Sequence, residues 1–269
     1  MTTTLGELDQ RLQEKEMADV LKRFGQKYLI VSGKGGVGKT TVAVNLAWAK
    51  AQAGFRVGLL DVDLHGPDVA EALHLDERLT VDEQGRLLPV QAAPNLWVLS
   101  MDLMLARKAE AVMWRGPRKM RAIIQFIGRT AWPEVDFFFI DSPPGTGDET
   151  LTVARRIPDL KALMVATGSP LALADVAKAV TCLQTCQTAL HGFIDNFSSL
   201  ICPGCGQQTP LHDPQAVAEL ASSVGAPLLA RLPMDPAAVA TARQARCPLV
   251  EASPDSPLAR QLAVLAQRL

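Results

Sequence analysis

A glycine-rich turn, a set of aspartates and a pair of cysteines are the residues of this 269-residue chain whose types and spacing could do chemistry. The turn, Gly33 to Thr40, satisfies the pattern G-x-x-x-x-G-K-S/T and lies between an apolar run and a segment of helical length. In that context backbone N–H groups surround phosphate oxygens, the lysine neutralises the β- and γ-phosphates, and the threonine hydroxyl ligates Mg2+. We therefore predict a nucleotide and Mg2+ site at Gly35, Gly36, Val37, Gly38, Lys39, Thr40 and Thr41.

Aspartates stand at the ends of two apolar runs that read as buried strands. Asp141 follows the run 135–140, and Asp63 comes shortly after the run 56–60. Because the carboxyl ends of parallel strands meet at one edge of a sheet, both carboxylates should face the phosphates. We predict that Asp141 holds Mg2+, directly or through water, and that Asp63 acts with Lys39 in catalysis by orienting the attacking water. For Asp61 the alternative is that it ties down the loop after its strand.

Cys202 and Cys205 form a C-P-x-C-G turn, which brings two sulfurs to one metal and points backbone N–H groups at them. Two thiolates do not complete a tetrahedral or cluster site. Either other residues of the chain complete it, or a second subunit contributes its own pair. Within the chain, His212 could support a zinc site, and the remaining cysteines are weaker candidates: Cys182, Cys186 and Cys247.

Alternating strand and helix patterns predict an α/β fold, a mainly parallel sheet with helices on both faces and the ligand crevice at the carboxyl ends of the strands. Two segments interrupt the alternation: 80–90, which reads as a hairpin, and 196–214, which reads as a polar loop. We expect helices over 41–53, 171–190, 214–224 and from Ser256 onward, and strands over 28–32, 56–60, 135–140, 161–166, 192–194 and 227–232.

The domain organisation predicted from these patterns is simple. Residues 1–27 form an amphipathic helical extension, and residues 28–269 form one P-loop ATPase domain with the C-P-x-C loop at 196–214. We expect the leading helix to pack on the domain's own core, the alternative being a partner-binding arm. The last helix is expected to dock in the same way, the alternative being a membrane-surface helix.

Composition excludes several classes of function. With 27 Lys+Arg against 28 Asp+Glu, the net charge of -1 argues against binding to a nucleic-acid backbone. At 48% hydrophobic and 20% charged residues the chain is globular, and no uncharged apolar stretch is long enough to cross a bilayer. Five cysteines, an odd number, suit a reducing compartment. We predict a cytoplasmic protein without nucleic-acid or membrane partners.

The form K-G-G-V-G-K-T at residues 34–40 resembles that of the deviant-Walker-A ATPases, the group of MinD, ParA, ArsA and the nitrogenase iron protein. The resemblance implies that ATP is the nucleotide. It also implies a homodimer in which the second lysine, Lys34, reaches across to the partner's nucleotide.

Three further blocks resemble the Mrp-type (ApbC-like) iron-sulfur cluster carriers: 60–67, Met113–Pro117 and the switch II stretch 141–148. With the cysteine pair, the resemblance runs from about residue 28 to the C-terminus. It implies that Asn196 contacts adenine, the alternative being a turn-forming Asn. The chain departs from the family at Asp68, where Ser is usual, and at 167–170.

The resemblance implies an ATP-dependent carrier. Two copies of the cysteine pair would hold a 4Fe-4S cluster between subunits, slow Mg2+-dependent hydrolysis would act as a switch, and apo iron-sulfur proteins would receive the cluster. The sequence does not distinguish a carrier, which transfers clusters, from a scaffold, which builds them. The rival of another class is a MinD/ParA-like positioning ATPase with a structural zinc knuckle.

Overall fold

The computed structural model describes residues 5–104 and 116–269. In chain order its helices are α1 (Leu5–Leu21), α2 (Lys39–Gln52), α3 (Val69–Ala72), α4 (Gly116–Gly128), α5 (Asp148–Arg156), α6 (Pro170–Thr185), α7 (Ala216–Ser223), α8 (Pro236–Ala245), α9 (Leu249–Ala252) and α10 (Pro257–Gln267). The strands are β1 (Phe24–Ser32), β2 (Val57–Asp61), β3 (Thr80–Val81), β4 (Leu87–Leu88), β5 (Val90–Ala93), β6 (Leu96–Leu99), β7 (Val135–Asp141), β8 (Leu160–Ala166), β9 (Ala189–Ile201), β10 (Gln208–Pro210) and β11 (Leu228–Met234).

Nine of these strands form one sheet in the order β10-β9-β8-β1-β7-β2-β6-β5, with β11 also paired to β9. The pairings among β1, β2, β6, β7, β8, β9 and β11 are parallel, whereas β5 and β10 run antiparallel to their neighbours. The separate pair β3 and β4 is antiparallel and is the hairpin predicted over 80–90. The predicted α/β fold with a mainly parallel sheet is confirmed.

Helices cover both faces of the sheet, so the strands are buried on two sides. Alternate residues of β1 enter different cores: Leu29 and Val31 pack with α1, α4, α5, α6 and α7, while Tyr28 and Ile30 pack with α2, α3, α8, α9 and α10. The last helix, α10, therefore docks on the domain, as predicted. None of the described helices is both long and apolar enough to cross a membrane.

The leading helix packs on the core rather than extending as a free arm. Met17, Val20 and Leu21 are buried, and salt bridges join Glu14 to Arg156 (2.6 Å) and Glu16 to Arg129 (2.9 Å). Strand β1 starts at Phe24, so the domain boundary predicted between residues 27 and 28 falls inside a strand.

Two predicted element boundaries were wrong. The helix expected over 171–190 ends at Thr185, because Gln187 takes a positive φ of 58° and the chain then enters β9. The loop expected over 196–214 begins with six more residues of β9 and contains β10. Asp195 and Asn196 pair with β11 and Ser199 pairs with β10, so their polarity does not mark a loop.

Candidate functional site

The glycine-rich turn connects β1 to α2 at the carboxyl edge of the sheet. Gly36 and Gly38 have φ of +78° and +83°, a left-handed conformation that costs any other residue about 1–2 kcal/mol. A Cβ on Gly38 would also collide with the amide nitrogen of Asn196. These two glycines let the loop turn tightly at the start of α2, where backbone N–H groups favour anions.

A buried cluster of charges lies directly below this loop. The Lys39 ammonium lies 2.5 Å from Asp141 Oδ1, and the Thr40 hydroxyl donates to Asp141 Oδ2 at 2.6 Å. Burial raises the pKa of Asp141, and the Lys39 charge opposes that shift. The three residues that sequence patterns assigned to phosphate and Mg2+ thus come together, where they neutralise and hydrogen-bond one another.

The aspartate at the end of β2 holds the loop that follows this strand. Asp61 is buried and accepts hydrogen bonds from Asp63 N (3.0 Å), Val69 N (3.2 Å) and Ser100 Oγ (3.1 Å). Burial and the nearby Asp141 charge raise the pKa of Asp61 well above its ordinary value. These contacts agree with the alternative predicted for Asp61, that it ties down the loop after its strand. Asp63 remains half-buried and accepts from backbone N–H groups at residues 65 and 66.

A cavity of about 370 Å³ lies over the loop and collects most of the predicted nucleotide residues. Asp63 lines it, and so does Asp68, whose pKa is raised by partial burial and by the Asp63 charge. Lys34 also lines it and is exposed to solvent. The loop residues that line it are Lys34, Gly35, Gly36, Val37, Gly38, Lys39, Thr40 and Thr41.

A second, mainly apolar cavity of about 370 Å³ adjoins the first, since Gly38, Thr41 and Phe197 line both. Asn196 lines this cavity and donates from Nδ2 to Val37 O at 2.7 Å. Its volume and apolar lining, which includes Leu232 and Pro233, suit a heterocyclic base beside the phosphate loop. Asn196 therefore does two things: it braces the loop and borders the cavity.

The cysteine pair lies at the far end of the same strand. Cys202 follows β9 and Cys205 lies in the turn before β10; the turn closes through Gly206 N to Cys202 O (2.8 Å) and Cys202 N to Gln207 O (2.9 Å). Backbone N–H groups of Cys205 and Gly204 hydrogen-bond Cys202 Sγ and lower the pKa of its thiol. A lowered pKa favours the thiolate, the form that binds metal.

In the described residues no group of three or more His, Cys, Asp and Glu side chains could hold a metal ion. The alternative in which His212 completes a zinc site is therefore wrong for this part of the chain. His212 is instead buried against Gly168, with Nε2 3.3 Å from Asp195 Oδ1. Cys182 lies on α6 and Cys186 directly follows that helix; the two are close together, and burial raises the pKa of the Cys182 thiol.

Comparison with known proteins now decides the family. A family model described as ParA, NUBPL iron-transfer P-loop NTPase, matches residues 23–269. The chain belongs to this family. An iron-sulfur cluster carrier protein of Aquifex aeolicus is 40% identical over 248 residues, covering 91% of this chain and 68% of that protein. A cytosolic Fe-S cluster assembly factor, the Nubp2 homolog of Drosophila pseudoobscura, is 38% identical over 93% of this chain and 98% of its own.

Solved structures agree on the fold of these iron-transfer NTPases. A nucleotide-binding protein of Archaeoglobus fulgidus in complex with ADP matches with a TM-score of 0.73 and 30% identity, covering 95% of this chain and 93% of that one. The cell-division ATPase MinD of Pyrococcus furiosus matches with a TM-score of 0.66 and 26% identity over 90% and 97% of the two chains. The similarity to MinD supports the fold and says nothing of a positioning role.

Some site residues have no clear signal in the sequence. Ser100, at the end of β6, bonds Asp61 from a strand that the patterns did not predict. Phe197 lines both cavities with a positive φ of 54°, and only its position next to Asn196 could have suggested it. Met113, Trp114 and Arg115 of the predicted family block lie outside the described residues.

Proposed function

We propose that this protein is an ATP-dependent iron-sulfur cluster carrier. It works as a homodimer that binds a 4Fe-4S cluster between two subunits and transfers it to apo iron-sulfur proteins, in the cytoplasm. The observation that carries the proposal is the pairing, in one chain, of a nucleotide cleft with two thiols that find no further ligand among the described residues. The carrier and assembly-factor names of the relatives support it.

The nucleotide step begins with an exchange of partners. Asp141 holds both the Lys39 ammonium and the Thr40 hydroxyl. On ATP binding, Lys39 would turn to the β- and γ-phosphates, and Thr40 and Asp141 would hold Mg2+. Mg2+ would supply neutralisation of the phosphate charge. The phosphate contacts would offset the cost of breaking the buried ion pair.

Hydrolysis then depends on residues at the mouth of the cleft. Asp63 orients the attacking water, while Asp61 keeps the loop that carries it fixed to Val69 and Ser100. Lys34 completes the cleft of the partner subunit, so hydrolysis requires the dimer. This dependence makes the reaction slow and lets it act as a switch between two dimer geometries.

The cluster step rests on the symmetry of the dimer. Two copies of the turn bring Cys202 and Cys205 of each chain to one cluster, which gives it four thiolates. The lowered pKa of Cys202 and the exposure of Cys205 favour a ligand set that both accepts and releases a cluster. A change in dimer geometry alters the distance between the two cysteine pairs and therefore the affinity for the cluster.

Anaerobic reconstitution tests the cluster site. Cys202→Ala with Cys205→Ala should reduce bound iron to background while ATP affinity stays as in the wild type. Cys182→Ala with Cys186→Ala is the matched control and should retain the iron and the brown absorbance. An unchanged iron-to-protein ratio in the first variant would contradict the proposal.

Mixing subunits tests whether the cluster is shared. Wild-type chains and the Cys202/Cys205 double variant are unfolded together, refolded in equal amounts and reconstituted. A shared site requires two wild-type chains, so loading should fall to about one quarter of the wild-type value, whereas a site within one chain would retain about one half. A value near one half would exclude sharing.

A further inference from the structure

A groove of about 820 Å³ lies beside the cysteine hairpin and has no part in the nucleotide or cluster chemistry above. Three elements form it: β11, the hairpin of β9 and β10, and α10. Residues 228–231 and Pro233 of β11 line it, and within the described chain β11 pairs only with β9. Because its volume exceeds the 370 Å³ of either nucleotide cavity and three separate elements line it, the groove can accommodate a segment of polypeptide.

Prolines and aliphatic residues form part of the lining of the groove. Prolines, whose φ is fixed, stand on each element or its flank: Pro210, Pro214, Pro233 and Pro257. The aliphatic lining residues are Leu228, Leu229 and Ala230 of β11, all half-buried because each also packs against one of the two cores of the sheet. A preformed groove orders few of its own groups on binding, so more of the contact energy is retained as affinity.

The charged side chains that line the groove are three arginines: Arg231, Arg260 and Arg268. Each is anchored by one contact that leaves other N–H donors free: Arg231 to Pro214 O (2.9 Å), Arg260 to Asp255 (3.1 Å) and Arg268 to Leu229 O. Buried Asp195, 3.9 Å from Arg231, and exposed Asp255 offset part of the charge. Among described residues Arg268 has no carboxylate within salt-bridge distance, so the lining keeps an excess of positive charge.

The groove leads directly to the thiols. Ser199 and Gln208 form part of its wall and hydrogen-bond each other at 2.6 Å. Gln208 pairs across the hairpin with Ile201, the residue before Cys202. A chain lying in the groove therefore has one end beside the cysteine turn.

We propose that this groove binds an extended acidic segment, bearing aliphatic side chains, of the apo-protein that receives the cluster. This partner rests on the proposed carrier function. Carboxylates of the segment would meet the arginines in bidentate pairs, and its aliphatic side chains would contact the half-buried aliphatic residues of β11. Nucleic acid fits less well, because phosphates would make no favourable contact with those aliphatic residues.

The probe for this surface is a fluorescein-labelled peptide of alternating Glu and Leu, measured by anisotropy with the full-length protein. Arg260→Glu with Arg268→Glu should weaken its binding at least about tenfold, since each reversal replaces attraction by repulsion. The matched control, Arg23→Glu with Arg243→Glu, changes the net charge equally on exposed sites away from the groove and should leave the affinity unchanged. Gln261→Glu adds one carboxylate to the lining without removing an anchoring contact, and should weaken binding by a smaller factor.

Several outcomes would overturn the proposal. One is that the groove variant binds the peptide as tightly as the wild type does. A second is that the control variant loses as much affinity as the groove variant. A third is that the wild type binds a Glu/Ser peptide, which lacks leucine, as tightly as the Glu/Leu peptide. Tighter binding of a single-stranded DNA oligonucleotide to the same arginines would assign the groove to nucleic acid. A changed oligomeric state in Arg260→Glu with Arg268→Glu, without a change in peptide binding, would assign it to contacts between copies.

Parallel iron measurements separate failure of this inference from failure of the carrier function. The groove variant should load iron as the wild type does, and the Cys202/Cys205 double variant should bind the peptide as the wild type does. Loss of peptide binding in the groove variant, combined with normal iron loading, supports the groove. Absence of iron loading in the wild type, with peptide binding intact, contradicts only the carrier function.

Discussion

The nucleotide cleft and the cysteine turn differ in how much of each site one chain provides. In the cleft, Asp141 accepts hydrogen bonds from Lys39 and Thr40. Asp61 accepts hydrogen bonds from two backbone N–H groups of the loop that follows it. In the turn, two thiols face solvent with hydrogen bonds only from their own loop. The phosphate-binding groups of the cleft are thus held in place within one chain, whereas the cysteine turn needs a second chain to complete its set of ligands.

The largest effect that tests this contrast is expected for Lys39→Ala. Removing the ammonium leaves Asp141 buried without its cation and removes the charge that faces the phosphates, so ATP affinity should fall at least about a hundredfold. Calorimetry with ATP and Mg2+ measures it. Lys178→Ala, at an exposed ion pair, is the control. Iron loading should not change, and retained ATP affinity would contradict the assignment of the cleft.

A pH-linked effect is expected for Asp195→Asn, on the strand that joins the two regions. Burial raises the pKa of Asp195 from 3.8 to about 6. The folded state therefore binds a proton that the unfolded state releases, so this group's stabilising contribution is complete below pH 4 and is lost as the pH rises through about 6. The stability of Asp195→Asn relative to the wild type should rise by about 1–2 kcal/mol over that window, because solvent and the nearby Arg231 guanidinium screen part of the Asp195 charge. Urea unfolding at pH 4.5 and 7.5 measures it, and parallel curves would refute the shift.

An intermediate effect is expected for Asn196→Ala. The change removes the bond to Val37 O and opens the wall of the apolar cavity, so ATP affinity should fall about tenfold, or about 1–2 kcal/mol. Asn45→Ala is the control, since Asn45 likewise donates to a backbone carbonyl, that of Thr41 within α2, but does not line a nucleotide cavity. That variant should lower the melting temperature while changing ATP affinity less than about twofold. If both variants lost the same ATP affinity, Asn196 would have only a structural role.

The smallest effects are expected in the cysteine turn. Gly206 has a φ of +73°, so Gly206→Ala should strain the turn by about 1 kcal/mol and lower iron loading severalfold. At Gly204 the added Cβ would meet Cys202 Sγ at an ordinary 3.9 Å, and Gly204→Ala should load normally. Iron per chain after reconstitution compares the two, and equal loading would show that the turn tolerates this strain.

Sequence patterns predicted the layered fold and the cleft because both depend on local signals. Apolar runs predict buried strands, and the spacing of Gly33, Lys39 and Thr40 belongs to one loop. The course of β9 was not predictable, because its polar residues are buried by distant partners: Asp195 by His212 and Asn196 by Val37. Those contacts join residues far apart in the chain, which no local pattern records.

Phe197 links the two regions of the molecule along one strand. It lines both parts of the nucleotide cleft and lies on β9, the strand that ends directly before Cys202. At about 3.3 Å per residue, the sulfur-bearing turn lies roughly 15–20 Å from it along that strand. A backbone shift at Phe197 on nucleotide binding would therefore be transmitted directly to the thiols.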